Sequence, residues 1–242
     1  MTIKTALFLL IIIALLSSCS DKTNSVASFS GEADAVNLAD SMFLAIGGKQ
    51  AWCELQSLYI KAEHTEPQMT QAYQSEIWRS MEDFDVIIEQ QNDSFHVRAV
   101  FNDSLAKVTY LDHRDTFRIL SDEQITNWRF SNAHNVYVLL HDFACDPDEY
   151  TVKNDDRQLI FLKDSITLCK FGLDEDLRPH LFYAPDQKGK LNGSIFTHWA
   201  TDNGLVHSAG GHPLDSNFIY RTEEWIPAYG SLRESFEISE DE

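Results

Sequence analysis

Cysteine and positive charge are both scarce in this chain. It has four Cys, and 19 Lys and Arg stand against 38 Asp and Glu, a formal net charge of −19. So negative a surface repels phosphate backbones and anionic lipid, so no nucleic-acid partner is expected and no electrostatic docking on membranes. No Cys-x-x-Cys pair occurs, which removes the usual zinc-knuckle and thioredoxin-like readings. No apolar run approaches the ~20 residues needed to cross ~30 Å of hydrocarbon. A phosphate-binding P-loop, a dinucleotide fingerprint and a Gly-x-Ser-x-Gly elbow are all missing. No cofactor and no resident metal is expected.

What is present starts at the N-terminus. Lys4 precedes an unbroken apolar run, Ala6 to Leu16, and the small residues Ser17 and Ser18 follow. That order is the layout of a secretory signal. Leu16-Ser17-Ser18-Cys19 resembles the bacterial lipobox. The resemblance implies cleavage before Cys19 and attachment of diacylglycerol to it, usually with a third acyl chain. Two chains suffice for stable anchoring at roughly 0.8 kcal/mol per buried methylene. The expected place is the bacterial envelope, lipid-anchored in the outer membrane, with the domain facing the periplasm or the cell surface. The plainer alternative is an ordinary signal with a chance cysteine near the cut.

Removal of residues 1–18 would leave 242 − 18 = 224 residues at −20, since Lys4 goes with the signal. That length suits one β-rich domain. Cys53, Cys145 and Cys169 would remain, an odd number that allows at most one internal disulfide. Two arrangements stay open: a Cys145–Cys169 bridge, or three unpaired and mostly buried thiols.

Residues 20–33 are small and polar and read, with lipidated Cys19, as a tether over 19–33. Residues 34–46 read as a helix on the spacing of Val36, Ala39, Phe43 and Ile46, ended by Gly47-Gly48. Short strand signals then begin near Leu58, Tyr73, Phe84, Phe95, Leu105, Thr116 and Gln124, separated by turn clusters, the pattern of an antiparallel meander. Phe95, Val97, Ala99 and Phe101 alternate with His96 and Arg98, so one face is dry. A second helix is expected over 131–143, capped by Ser131, with Ala133, Val136, Tyr137 and Leu140 as its apolar stripe. Strand signals resume after the acidic loop 146–149, and residues 239–242 read as a frayed acidic tail. The expected fold is α+β: a curved antiparallel sheet of about ten strands, a half-barrel over 34–242, covered on its concave side by two helices.

Leu44-Ala45-Ile46-Gly47-Gly48-Lys49-Gln50-Ala51-Trp52, followed by Leu55-Gln56-Ser57-Leu58, resembles the opening of the LolA/LolB-type lipoprotein-sorting carriers. Phe171-Gly172-Leu173-Asp174 with Leu177-Arg178-Pro179, then a strand holding Trp199 and the Asn203-Gly204 turn, resembles their second half. The resemblance thinly covers most of residues 34–230 and implies a half-barrel with an apolar cavity for acyl chains. Sorting activity is not carried over, and an anchored chain departs from the soluble carriers.

Candidate chemistry is sparse. His134 and His141 are seven apart, about 10.5 Å in helical rise, too far to share one metal directly. His141 and Cys145 could, with Asp142, Asp146 and Asp148 nearby, but a solvated helix face is the plainer reading. His207 and His212 flank Ser208-Ala209-Gly210-Gly211, which reads as a flexible loop. The acidic clusters 146–149 and 174–176 read as surface loops. No catalytic residue is assigned and no enzyme is expected. The first expectation is a membrane-tethered module that binds a lipid or acyl chain, with Trp128, Tyr137, Leu140 and Phe143 near the pocket mouth. Next come an assembly or adaptor lipoprotein with a filled core and no ligand, and then an envelope hydrolase. A membrane, through the lipid, and a hydrophobic ligand are the expected partners.

Overall fold

The computed structural model describes residues 28–66, 70–112 and 116–236. The expected signal, Cys19 and the expected acidic tail lie outside the described residues. Among them the fold is α+β, with fourteen strands in one unclosed, curved sheet and five short helices, against about ten strands expected. In chain order β1 is Ser30–Gly31, followed by α1 (Ala33–Ala45) and α2 (Lys49–Cys53). A meander follows: β2 (Ser57–Thr65), β3 (Tyr73–Ser80), β4 (Val86–Asn92), β5 (Phe95–Phe101), β6 (Ala106–Tyr110) and β7 (Thr116–Ile119). Helices α3 (Asp122–Ala133) and α4 (Val136–Cys145) lead to the second meander. It comprises β8 (Thr151–Asp155), β9 (Gln158–Lys163), β10 (Ile166–Leu173), β11 (Pro179–Pro185), β12 (Leu191–Asp202), β13 (Leu205–Pro213) and β14 (Ile219–Ala228), before α5 (Leu232–Phe236).

Chain order and spatial order differ in an informative way. Across the sheet the order is β1-β8-β9-β10-β11-β12-β13-β14-β2-β3-β4-β5-β6-β7. The last strand, β14, pairs antiparallel with β2 and joins the two meanders, whereas β7 is an edge and β8 lies next to the opposite edge. The link from β7 to β8 must therefore travel across the whole sheet. It does so as α3 and α4.

Local chemistry explains where sequence and structure part. Two extra hairpins come from β8–β9 and β9–β10, whose turns put Asp156 (φ 47°), Arg157 (φ 66°), Asp164 (φ 51°) and Ser165 (φ 68°) in the left-handed region. Such turns usually carry glycine, and here none marks them. The run from Gln124 is helix and not strand. A reciprocal capping box starts α3: Ser121 Oγ accepts the Gln124 N–H at 3.3 Å and Gln124 Oε1 accepts the Ser121 N–H at 3.1 Å. The helix expected over 131–143 is instead the end of α3 and most of α4, divided at His134-Asn135, where the Asn135 side chain accepts the Tyr137 N–H at 3.0 Å and restarts the helix. The stretch 28–33 belongs to the fold rather than the tether: Phe29 is buried and β1 pairs parallel with β8. Gly47 does end α1; at φ 110° its missing Cβ leaves room for the Gly204 carbonyl, which a Cβ would approach to 2.5 Å.

One core joins α1, α2 and α4 to β8–β14, with Trp52, Phe43, Phe143, Phe161 and Phe171 fully buried. The ring of Phe143 stacks on Phe161 at 4.2 Å. Cys53 and Cys145 form a disulfide that fastens α2 to α4, and Cys169 is free and buried. The Cys145–Cys169 bridge is thus not formed; Cys169 lies on β10, facing the core. A smaller cluster, Val86, Phe101, Ala106 and Leu120, lies between β4–β7 and α3. Helix α5 covers the opposite face of β2 and β3, where the Phe236 ring lies 6.0 Å from Tyr59.

Candidate functional site

The register of β2–β7 sets side chains in rows across the sheet. Ile60, Ile77, Ile88, Ala99, Val108 and Arg118 are successive cross-strand partners and share the face turned toward α3. The next row on that face contains Leu58, Arg79, Val86, Phe101 and Ala106. Main core fills the space over the first strands. Toward β7 the only cover among the described residues is α3, a helix with no buried residue.

That thin cover leaves a groove of about 410 Å³ between α3 and β4–β7. Ile88, Val97, Ala99, Val108 and Phe101 floor it, Trp128 walls it, and Gln90, Arg118, Gln124 and Asn127 lie at its polar margin. Ligand pockets commonly occupy ~300–1,000 Å³ with mostly apolar linings and a few placed polar groups. Two further clefts, about 630 and 560 Å³, lie around Phe130 and His134; Asp186 and Gln187 of the β11–β12 turn line both, and Ile166, Leu168, Pro185 and Leu191 add apolar wall to the smaller.

A few contacts hold α3 in place. Trp128, 39% exposed, lies 4.3 Å from Phe101, ring to ring. Arg129 stacks over Phe84 at 5.6 Å and donates to the Asp103 carbonyl at 3.2 Å. The buried Arg79 guanidinium donates to Asn132 Oδ1. Arg79 makes no ion pair among the described residues, and burial lowers its pKa to about 10.

The four residues expected to line one pocket are divided among three places. Trp128 faces the groove. Tyr137 and Leu140 border a small cavity with Trp52, Trp199 and His207, of about 20 Å³, room for roughly one water. Phe143 belongs to the core. Beside that cavity, burial pushes the Tyr137 hydroxyl far above its usual pKa. The strand alternation signalled Val97, Ala99 and Phe101, but Ile88, Val108 and Arg118 were not found from sequence, since only cross-strand register brings them to one row.

The candidate chemistry is engaged in structure. His207 and His212 lie on β13, not in a loop. His207 Nε2 meets Asp202 Oδ2 at 2.7 Å, Nδ1 meets the Ser208 carbonyl at 3.1 Å, and the ring stacks on Trp225 at 4.3 Å. Ser208 Oγ instead meets Tyr220 Oη at 3.0 Å. The His–Ser hydrogen bond of a nucleophile and its base is not formed. His141 Nε2 is 3.6 Å from Cys145 Sγ, a sulfur already spent in the disulfide. No group of three or more His, Cys, Asp or Glu is gathered for a metal among the described residues. Asp174 and Asp176 pair with Arg178 at 3.1 and 2.6 Å and close a turn.

No family model matches the sequence. No curated protein matches it either. Among solved structures, a DUF1329 family protein from Desulfovibrio piger is similar over 82% of this chain and 96% of that one, at 11% identity and a TM-score of 0.47. MucB is similar over 86% of this chain and 64% of its own, at 11% identity and a TM-score of 0.30.

Proposed function

We propose that this protein is an envelope lipoprotein, anchored through Cys19, that binds a hydrophobic ligand bearing an acyl chain in the groove between α3 and β4–β7. The observation that carries the reading is the groove itself: about 410 Å³ over an apolar floor, roofed by a helix with no buried residue. Burial of a chain there is favourable by ~25 cal/mol per Å² of apolar surface. The lipobox and the likeness to LolA/LolB-type carriers support the anchor and the ligand class, and the Cys53–Cys145 disulfide fits an oxidising compartment such as the periplasm. No catalytic role is proposed.

The test uses the full chain with Cys19→Ala, so that no covalent acyl group competes. Native mass spectrometry with lipid extraction, followed by uptake of a fluorescent fatty acid, is expected to find one ligand per chain. Trp128→Glu should reduce uptake about tenfold or more with the melting transition retained. A chain that is ligand-free and takes up nothing would favour an assembly or adaptor lipoprotein. That second reading draws on the nearly filled main core and on edge strand β7, where Phe117 is 64% and Ile119 55% exposed.

A further inference from the structure

The row that floors the groove ends on a charge. From Ile60 across Ile77, Ile88, Ala99 and Val108 every cross-strand partner is apolar, and the sixth, Arg118, lies on the edge strand β7. At ~4.8 Å between strands, Ile88 to Arg118 is about 14 Å of floor. Arg118 is exposed, and it makes no ion pair and no hydrogen bond among the described residues. The chain has twice as many acids as bases, yet the one charged side chain lining this groove, among the described residues, is a cation. Gln90, Gln124 and Asn127 add neutral polar groups at the same margin.

An apolar floor that ends in a solvated guanidinium has the polarity of an amphiphile. The apolar floor of the groove suits a hydrocarbon chain. The guanidinium, a planar fork of donors, suits the two oxygens of a carboxylate or phosphate. The net charge of −19 disfavours an anion over much of the remaining surface. A groove of about 410 Å³ lies near the lower end of the ligand-pocket range, which favours one chain over several.

We propose that the ligand is a single-chain anionic amphiphile, its chain lying along the Ile88–Val108 floor and its carboxylate or phosphate held by Arg118 at the β7 edge. This rests on the groove reading above and adds the class of head group.

The experiment is displacement of a fluorescent fatty acid from the full Cys19→Ala chain by three competitors of equal chain length: a free fatty acid, a monoacyl glycerophosphate and a neutral monoacylglycerol. One or both anionic competitors should displace at about tenfold lower concentration than the neutral one, and their order identifies carboxylate or phosphate as the natural head. Arg118→Gln should weaken the fluorescent acid itself and bring the inhibition constants of the three competitors together, and Arg118→Lys should keep part of the preference. The residue is exposed, so neither substitution threatens folding. Equal displacement by all three, unaltered in Arg118→Gln, would overturn the head-group assignment and leave the groove standing. Failure of the fluorescent acid to bind at all would overturn the groove reading and this proposal with it.

Discussion

One half-buried and one buried side chain show how residue-level physics makes the account testable. His64 stacks between Tyr73 at 4.8 Å and Phe218 at 5.2 Å, its Nε2 meets Ser75 Oγ at 2.5 Å, and Nδ1 has no hydrogen-bond partner among the described residues. Burial lowers its pKa from 6.5 to about 4. The unfolded chain then binds the extra proton between those values, so the contribution of His64 is fully present above pH ~6.5 and is lost as the pH falls toward 4. Urea midpoints at pH 7 and pH 5 should differ less for His64→Phe than for the parent, by roughly 2 kcal/mol at most after screening is allowed for. An unchanged difference would remove His64 from the pH response. Arg79 presents the opposite case, a buried charge held by the Asn132 amide. Asn132→Ala should cost about 2 kcal/mol, because the cation loses its acceptor. Arg79→Met should cost less than Asn132→Ala, since removing a buried charge also removes its desolvation penalty. Denaturant melts of the two variants decide; the reverse ranking would mean that Arg79 contributes more than it costs.

At the scale of elements, the sequence was most legible where periodicity and turn chemistry agreed. Leu58, Tyr73, Phe95, Leu105 and Thr116 each open a strand within a residue or so of the observed start. The helix over 34–46 and its glycine stop are also where the pattern put them. The misreadings have specific causes. Ile125 and Trp128 imitate a strand, and the capping box at Ser121 and Gln124 makes them helix. The β8–β9 and β9–β10 turns hold left-handed Asp, Arg and Ser without a glycine to announce them. Cys53 and Cys145 are 92 residues apart, and only the packing of α2 on α4 brings their sulfurs together. That bridge should matter: closing a loop of such length is worth about 4–5 kcal/mol in the chain-entropy account. The Cys53→Ala, Cys145→Ala double variant should lose about 2–4 kcal/mol in a thermal or urea melt. A loss below about 1 kcal/mol would show that α2 and α4 hold each other by packing alone.

For the whole molecule, topology does what no local signal could announce. The pairing of β14 with β2 leaves β7 and the β1–β8 side as opposite edges, and the chain between β7 and β8 has to cross the face. Its second half, α4, enters the main core, while α3 lies over β4–β7 without a buried residue. The candidate site follows from that division of labour. Sequence alternation indicated a dry face and a helix above it, and Trp128 at the mouth. It could not separate core from groove, so Tyr137, Leu140 and Phe143 were grouped with Trp128 although the fold divides them. Nor could it align Ile88, Val108 and Arg118, which lie on three strands and meet through register alone.

The central claim is that an acyl chain lies between α3 and β4–β7, and photo-crosslinking tests it most directly. Membranes containing the native chain would be exposed to a diazirine-bearing fatty acid, irradiated, and the adducts mapped by peptide mass spectrometry. The account predicts adducts concentrated on Ile88, Val97, Val108 and Trp128, and strongly reduced in Trp128→Glu. Adducts confined to the cleft around Phe130 and His134, or none on the folded chain, would contradict it.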